Sequence, residues 1–499
     1  MSKSWQFGGV NIGMDAEPAE EARRDQPLKI VVLGDFSGRG SRRGVALRQV
    51  GAYRPMLIDR DNFEQVMQHL NVELDQVPLE PNGKLGLLAI GSLDDFHPDA
   101  LLQRVNQFKS LRELRRQLAN RDTFAAAKAE AAGRLQPPAE PVSQVAGAEP
   151  APVTTPSATA SGEDLLEQML AATEQNAKSQ PRRPTEVERY AQALMANYTV
   201  PADDPRQEPW VAAADQAIAF AVRQLLQDSA FKSLEARWRA VDWLTKRVES
   251  DVAVKIAVVD ITPAELRADF AHDDLTEAAL YELLVTRPKQ RPGDTGWQVI
   301  VVDERLSASR EDVELLGRLC QLAGDAGAKL LVGLTDAAVG CTATNEPFVP
   351  SNLQPTSTAW SALQQLPEAV RAAALWPGFL LRQPYGKKTS EVEAVELEEL
   401  AGADPQQTLL WGNAAYLAAD QLLRSTDGSR EPSDVSGLPC VVLPDATGTK
   451  QMVPATGWWL RESSLDQLAQ LNITAVYALP HAGAVRVFPL RNLLGQPLA

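Results

Sequence analysis

The sequence predicts an α/β protein with a mostly parallel buried sheet, divided by a linker into a small N-terminal part and a larger C-terminal part. Three observations support this. Short β-branched runs, among them LKIVVL (Leu28–Leu33), Val252–Val259, Trp297–Val302 and Ala328–Leu334, suit strands covered on both faces. Between them lie helical segments with apolar residues at intervals of three and four. A Pro, Ala, Ser and Thr tract then separates two patterned regions. The expected boundaries are residues 1–134, a linker over 135–162, a helical lead over 163–230 and a large α/β domain over 231–499.

Taken in order, WQFGGVNI (Trp5–Ile12) has the aromatic and β-branched content of a short strand or arm, which needs a partner strand. The strand Leu28–Leu33 leads into GDFSGRGSRRG. Glycines after a strand can offer backbone N–H groups to a phosphate, but Gly-Lys-Ser/Thr is missing, and the competing reading is a flexible basic surface loop. Residues 53–70 pass from an extended stretch into a helix, with Asp59 or Asp61 as N-cap and Phe63, Val66, Met67 and Leu70 on one face. Lys84–Ile90 reads as a strand. After the polar turn SLDDFHP, Asp99–Leu118 reads as one helix with Leu101, Leu102, Val105, Phe108, Leu111, Leu114 and Leu118 on a stripe.

Residues 135–162 carry too little bulky apolar surface to order themselves. The following peptide EDLLEQMLAATE places Leu165, Leu166, Met169 and Leu170 on a narrow apolar stripe, which suits either packing on its own domain or docking into a partner's groove. Helices follow at Val187–Tyr198 and Trp210–Gln227.

The chain is organised around residues 228–260. Phe231, Leu234, Trp238, Val241, Leu244 and Val248 share one helical face, and the run to Val259 feeds a buried strand. Thr262-Pro263 starts a helix to Phe270, Glu277–Leu284 a second and Ser309–Ala323 a third. Asp260 and Asp303 close strands, where carboxylates can act in catalysis or hold Mg²⁺, although Asp also caps helices. Trp360–Gly386 reads as a helix followed by a proline-interrupted apolar stretch, and Trp411–Leu423 as a helix. Val441–Leu443, a helix Leu465–Leu471, and strands Ile473–Leu479 and Ala484–Phe488 joined through His481-Ala482-Gly483 complete the chain.

Composition narrows the function classes. With 49 basic and 65 acidic residues the net charge is −16, which argues against a general nucleic-acid binder. The three cysteines and four histidines lack metal-ligand spacing, so no metal site is expected. Neither a signal peptide nor a run of ~18 apolar residues is visible, and the expected location is cytoplasmic.

These segments resemble the two contractile sheath subunits of bacterial type VI secretion systems. LKIVVLGDFSG, IDRDNFEQVM and SLDDFHPDALLQRVNQFKSLRELRRQL are similar to the small subunit. LLEQMLAATE, DSAFKSLEARWRAVDWLTKRVE, DVELLGRLCQLAGDAGAKLLVGL, PGFLLRQPYG and WGNAAYLAADQLL are similar to the large one. The resemblance implies a cytoplasmic, non-enzymatic fusion without cofactor that self-assembles, or joins other sheath subunits, around an inner tube protein. It also implies contact with baseplate components. Trp5, Phe7, Val10 and Ile12 match the strand that links protomers. Leu165, Leu166, Met169 and Leu170 match the helix grasped by a hexameric recycling ATPase. The large subunit usually continues beyond Phe488-Pro489-Leu490. That departure leaves open a capping, adaptor or baseplate-proximal role, and a nucleotide-dependent enzyme using Gly34–Gly44 with Asp260 or Asp303 is the third reading.

Overall fold

The computed structural model describes residues 6–7, 10–11, 27–42, 53–78, 85–134, 206–248, 254–341, 348–350, 353, 358–424, 431–444, 449–480 and 483–498. The chain forms two compact units, one of residues 1–113 with 215–499 and the other of residues 114–214.

The larger unit is built on a sheet in which nine of the described strands take part. Their order is Ser433–Val435, Val485–Val487, Ile473–Ala478, Ala372–Trp376, Lys329–Leu334, Val299–Leu306, Leu28–Gly34, Val254–Asp260 and Met56–Ile58. The six strands from Ile473–Ala478 to Val254–Asp260 are parallel, and antiparallel strands close both edges. The α/β class with a mostly parallel buried sheet is therefore observed.

One strand has travelled furthest to its place. Leu28–Gly34, from the N-terminal part, lies between Val254–Asp260 and Val299–Leu306, pairing Ile30 with both Ile256 and Val299. The sequence boundary at residue 134 is thus not a boundary of the sheet. Its side chains explain the position: Ile30 and Val32 enter the core on one face, while Val31 and Leu33 enter the core on the other, all at most 1% exposed. Such a two-faced apolar run has no solvated side to present.

The helix Ser229–Arg247 covers the first face. Asp228 caps it, its carboxylate accepting from the backbone N–H groups of Ala230 and Phe231 at 3.0 Å each. Its aromatic seam is as expected. Trp238 meets Phe36 and Phe63 edge-on at 5.4 and 5.5 Å, and Phe231 meets Phe96 at 5.6 Å. The helix Arg310–Ala326 covers the second face, capped by Ser309 and ended by Gly327 in the left-handed conformation.

Several local expectations change. The helix after residue 59 begins at Phe63 with Asn62 at its N-cap, because Asp59 instead accepts from the N–H groups of Asp61 and Asn62 within the preceding turn. The run Asp99–Leu118 is two helices, Pro98–Arg104 and Asn106–Ala119, broken where Val105 adopts extended backbone while its side chain stays buried. Glu277–Leu284 is a composite helical segment with a π-helical turn at Glu282–Thr286. Trp411–Leu423 splits into a strand, Trp411–Gly412, and a helix, Ala415–Arg424. In the smaller unit the helix Phe124–Arg134 buries Ala127 and Ala131, and Lys128 lies 5.4 Å over the Trp210 ring.

Candidate functional site

Two kinds of feature can carry function here: the carboxylates and glycine loop at the C-terminal ends of the parallel strands, and the surfaces on which another chain could pair. At the strand ends Asp260, Asp303 and the described part of the glycine loop are engaged by their own chain. After Leu28–Gly34 the loop turns inward, burying Asp35, Phe36, Ser37 and Arg39. This corrects the expectation of a basic surface loop as far as residue 39; Gly40 is exposed and Ser41 and Arg42 are half-buried. Gly38 is required by its φ of +74° and because a Cβ there would stand 2.5 Å from the Glu73 carbonyl oxygen.

Two of the loop amides that a phosphate would need face carboxylates instead, and others bond to backbone carbonyls of the same loop. The N–H of Ser37 donates to Asp260 Oδ1 at 2.8 Å, and that of Gly40 donates to Asp35 Oδ2 at 2.7 Å. Arg39 completes the cluster, donating to Asp260 at 3.2 Å and bidentately to Glu265 at 2.6 and 2.9 Å. Burial works against the Arg39 charge, yet Glu265 and Asp260 outweigh it and raise its pKa. Glu265 also accepts from the N–H of Thr262 at 3.0 Å in a capping box, so the arginine locks the next helix to the loop.

Asp303 is held in the same way. Arg237 donates to it at 2.6 Å and also to the Asp35 carbonyl oxygen at 2.6 Å, and the Tyr416 hydroxyl donates to its other oxygen at 2.7 Å. Here too burial disfavours the Arg237 charge, and Asp303 and Asp35 more than offset it. A third cluster was not foreseen. Arg382, from PGFLLRQPYG, donates to Glu235 at 2.8 Å and to Glu399 at 2.7 Å, while Arg239 donates to Glu235 at 2.7 Å. Burial raises the Glu235 pKa, but Arg382 and Arg239 prevail and hold it below the usual glutamate value. The sequence signal was the pairing of buried-helix Glu with a lone Arg in an apolar run, but the 147-residue separation hides the partner.

Among the described residues no group of three or more His, Cys, Asp or Glu is placed to hold a metal ion, and no helix is long and apolar enough to cross a membrane. These arginine-filled strand ends are cross-links within the fold. Asp260 and Asp303, the carboxylates of the nucleotide and Mg²⁺ reading, are both held by arginines.

Pairing surfaces remain. Gln6–Phe7 and Val10–Asn11 form an antiparallel pair in which Phe7 stands opposite Val10. The neighbouring Trp5 and Ile12 lie outside the described residues, as do Leu165, Leu166, Met169 and Leu170 of the expected docking helix. Elsewhere, three of the large apolar side chains most open to solvent sit on strands: Leu57, Leu87 and Val442, at 53, 54 and 51% exposure. Met56–Ile58 is the outermost strand of the described sheet at its edge. An edge strand of this kind is a template for a further strand.

Comparison with known proteins agrees with this emphasis on assembly. Residues 208–471 match the VipB family, described as a tail sheath N-terminal domain. Residues 9–137 match a family described as type VI secretion system VipA. Over 262 residues the chain is 26% identical to the type VI secretion system sheath protein TssC1 of Pseudomonas aeruginosa, an overlap of 49% of this chain and 53% of that protein. The chain therefore spans about half the length of the curated relative it matches.

Proposed function

This chain belongs to the VipB tail sheath family and carries a VipA match ahead of that region, and from this premise we propose that it is a structural sheath component of a contractile type VI apparatus, with both subunits in one polypeptide. One observation carries the reading. The strand Leu28–Gly34, inside the VipA match, is inserted between two strands of the VipB match, with seven residue pairs to Val254–Asp260. A small and a large subunit that share a central sheet act as one building block, and fusion fixes their ratio at one to one.

The work of such a protein lies in contacts between copies. One lattice is held by burial and strand pairing, and a second lattice with more contacts lies lower in free energy, so that contraction needs no nucleotide. On this reading the chain works in the cytoplasm, encloses an inner tube protein and meets baseplate components. The segment around Trp5, Phe7, Val10 and Ile12 links neighbouring protomers. Leu165, Leu166, Met169 and Leu170 are offered to a hexameric unfoldase that recycles contracted sheath.

Ultracentrifugal pelleting of the purified chain over a range of concentrations tests the assembly reading. A sheath protein moves into the pellet above a threshold concentration. A chain that stays in the supernatant throughout is a cap or adaptor. For the recycling helix, Leu166→Asp with Met169→Asp abolishes pull-down of the unfoldase, and undiminished pull-down excludes that role.

A further inference from the structure

A groove at the opposite end of the strands is lined mainly by basic residues. It lies between the edge strand Met56–Ile58 and the helical segment 279–289 with the turn that follows it, and has a volume of about 310 Å³. Lys29, Lys255, Arg287 and Arg291 line it against one carboxylate, Asp294, with the exposed Leu57 on its rim. Lys29 pairs with Asp294 at 2.5 Å, and Arg287 stands 3.6 Å from Glu282. Lys255 and Arg291 are exposed and have no ion-pair partner among the described residues. In a chain of net charge −16, the two cations left without an ion-pair partner, Lys255 and Arg291, make this groove an attractor for acidic surface.

The same unit carries the matching surface. Residues 391–398 run without regular structure, burying Val392, Val395 and Leu397 and leaving Glu391, Glu393, Glu396 and Glu398 exposed. The segment is rigidly based. Asp99 accepts from the N–H groups of Glu393 and Ala394 at 3.1 and 2.9 Å, and the adjoining Glu399 is clamped by Arg382. Glu396 is 93% exposed, with only Lys387 within reach at 3.9 Å.

Groove and ridge lie toward opposite ends of the parallel strands. Lys29 and Lys255 stand at the strand starts. The ridge is tied through Glu399 and Arg382 to Glu235, two residues from Arg237, which bonds to Asp35 beyond a strand end. Two complementary patches on distinct faces of one chain make a head-to-tail contact, which propagates as an open helix wherever its rotation does not close into a ring. We infer that the Lys255–Arg291 groove of one copy receives the Glu391–Glu398 ridge of the next copy. The contact rests on the self-assembly reading, and it specifies a surface that the terminal arm does not supply.

Charge exchange in the full-length chain is the test. Lys255→Glu with Arg291→Glu raises the concentration at which polymers pellet by roughly tenfold, as does Glu393→Lys with Glu396→Lys. The chain carrying all four substitutions returns toward the wild-type threshold, a recovery that damaged folding does not produce. Raising the salt from 0.05 to 0.5 M, about a threefold shortening of the Debye length, weakens wild-type assembly. If the wild type polymerises while both charge reversals assemble at its threshold, or if the fourfold variant shows no recovery, this contact is overturned and the sheath reading stands. A wild-type chain that never associates overturns both.

Discussion

Arg237 shows how single residues hold this fold. Its guanidinium joins the helix Ser229–Arg247 to Asp303 of one strand and to the Asp35 carbonyl oxygen beyond another, with both ionic side chains less than a tenth exposed. Replacing it by Ala leaves the Asp303 carboxylate buried without its cation, which costs about 3–5 kcal/mol in urea unfolding. Wild-type stability in Arg237→Ala would contradict that assignment. Asp420 makes an opposite contribution. Burial pushes its pKa up to about 6, against the pull of Arg247 3.0 Å away. A folded-state value above the unfolded one means that the folded protein holds this proton more tightly. The associated stability is fully present below about pH 4 and is lost as pH rises through about 6. The difference in unfolding free energy between wild type and Asp420→Asn therefore moves against the wild type between pH 4 and 6 and is flat above. A flat difference throughout shows that Asp420 titrates normally. None of these partners was legible in the sequence, because the ends of the Arg39–Asp260 contact are 221 residues apart and the Arg247–Asp420 pair 173 apart. Asp260 and Asp303 were visible as strand-ending carboxylates, but only the fold reveals the arginines that occupy them.

At the scale of elements, the runs with two apolar faces were the most legible. Leu28–Gly34, Val254–Asp260, Val299–Leu306 and Lys329–Leu334 all lie in the sheet close to where β-branched patterning puts them. Ala372–Trp376 escaped because its three alanines favour helix in isolation, and burial of all five residues between two parallel strands overrides that preference. Glu73–Pro78 and Ser433–Val435 are marked by no comparable run. The position of Leu28–Gly34 has a direct consequence. A fragment lacking residues 1–134 loses the strand between Val254–Asp260 and Val299–Leu306 and exposes two unpaired edges, so it aggregates when expressed alone. Co-expression of residues 1–134 restores solubility, and a well-folded monomeric fragment would contradict the shared sheet. Deleting residues 2–12 has a different expected outcome: a soluble, folded chain that no longer forms ordered polymers in electron micrographs. Unchanged polymers would remove the arm from the assembly mechanism.

For the whole molecule, fold and family agree on one building block containing both sheath-subunit regions. Its parallel sheet ends in arginine-locked carboxylates, and three of its exposed large apolar side chains, Leu57, Leu87 and Val442, lie on strands. A rigid block with strand edges and complementary charged faces is suited to transmit force through a lattice, since a packed core shifts between discrete arrangements and does not deform continuously. The most direct measurement is negative-stain electron microscopy of the purified full-length chain at low salt. A sheath protein gives long hollow cylinders from this single polypeptide. Monomers or small closed rings at every concentration would contradict the sheath reading.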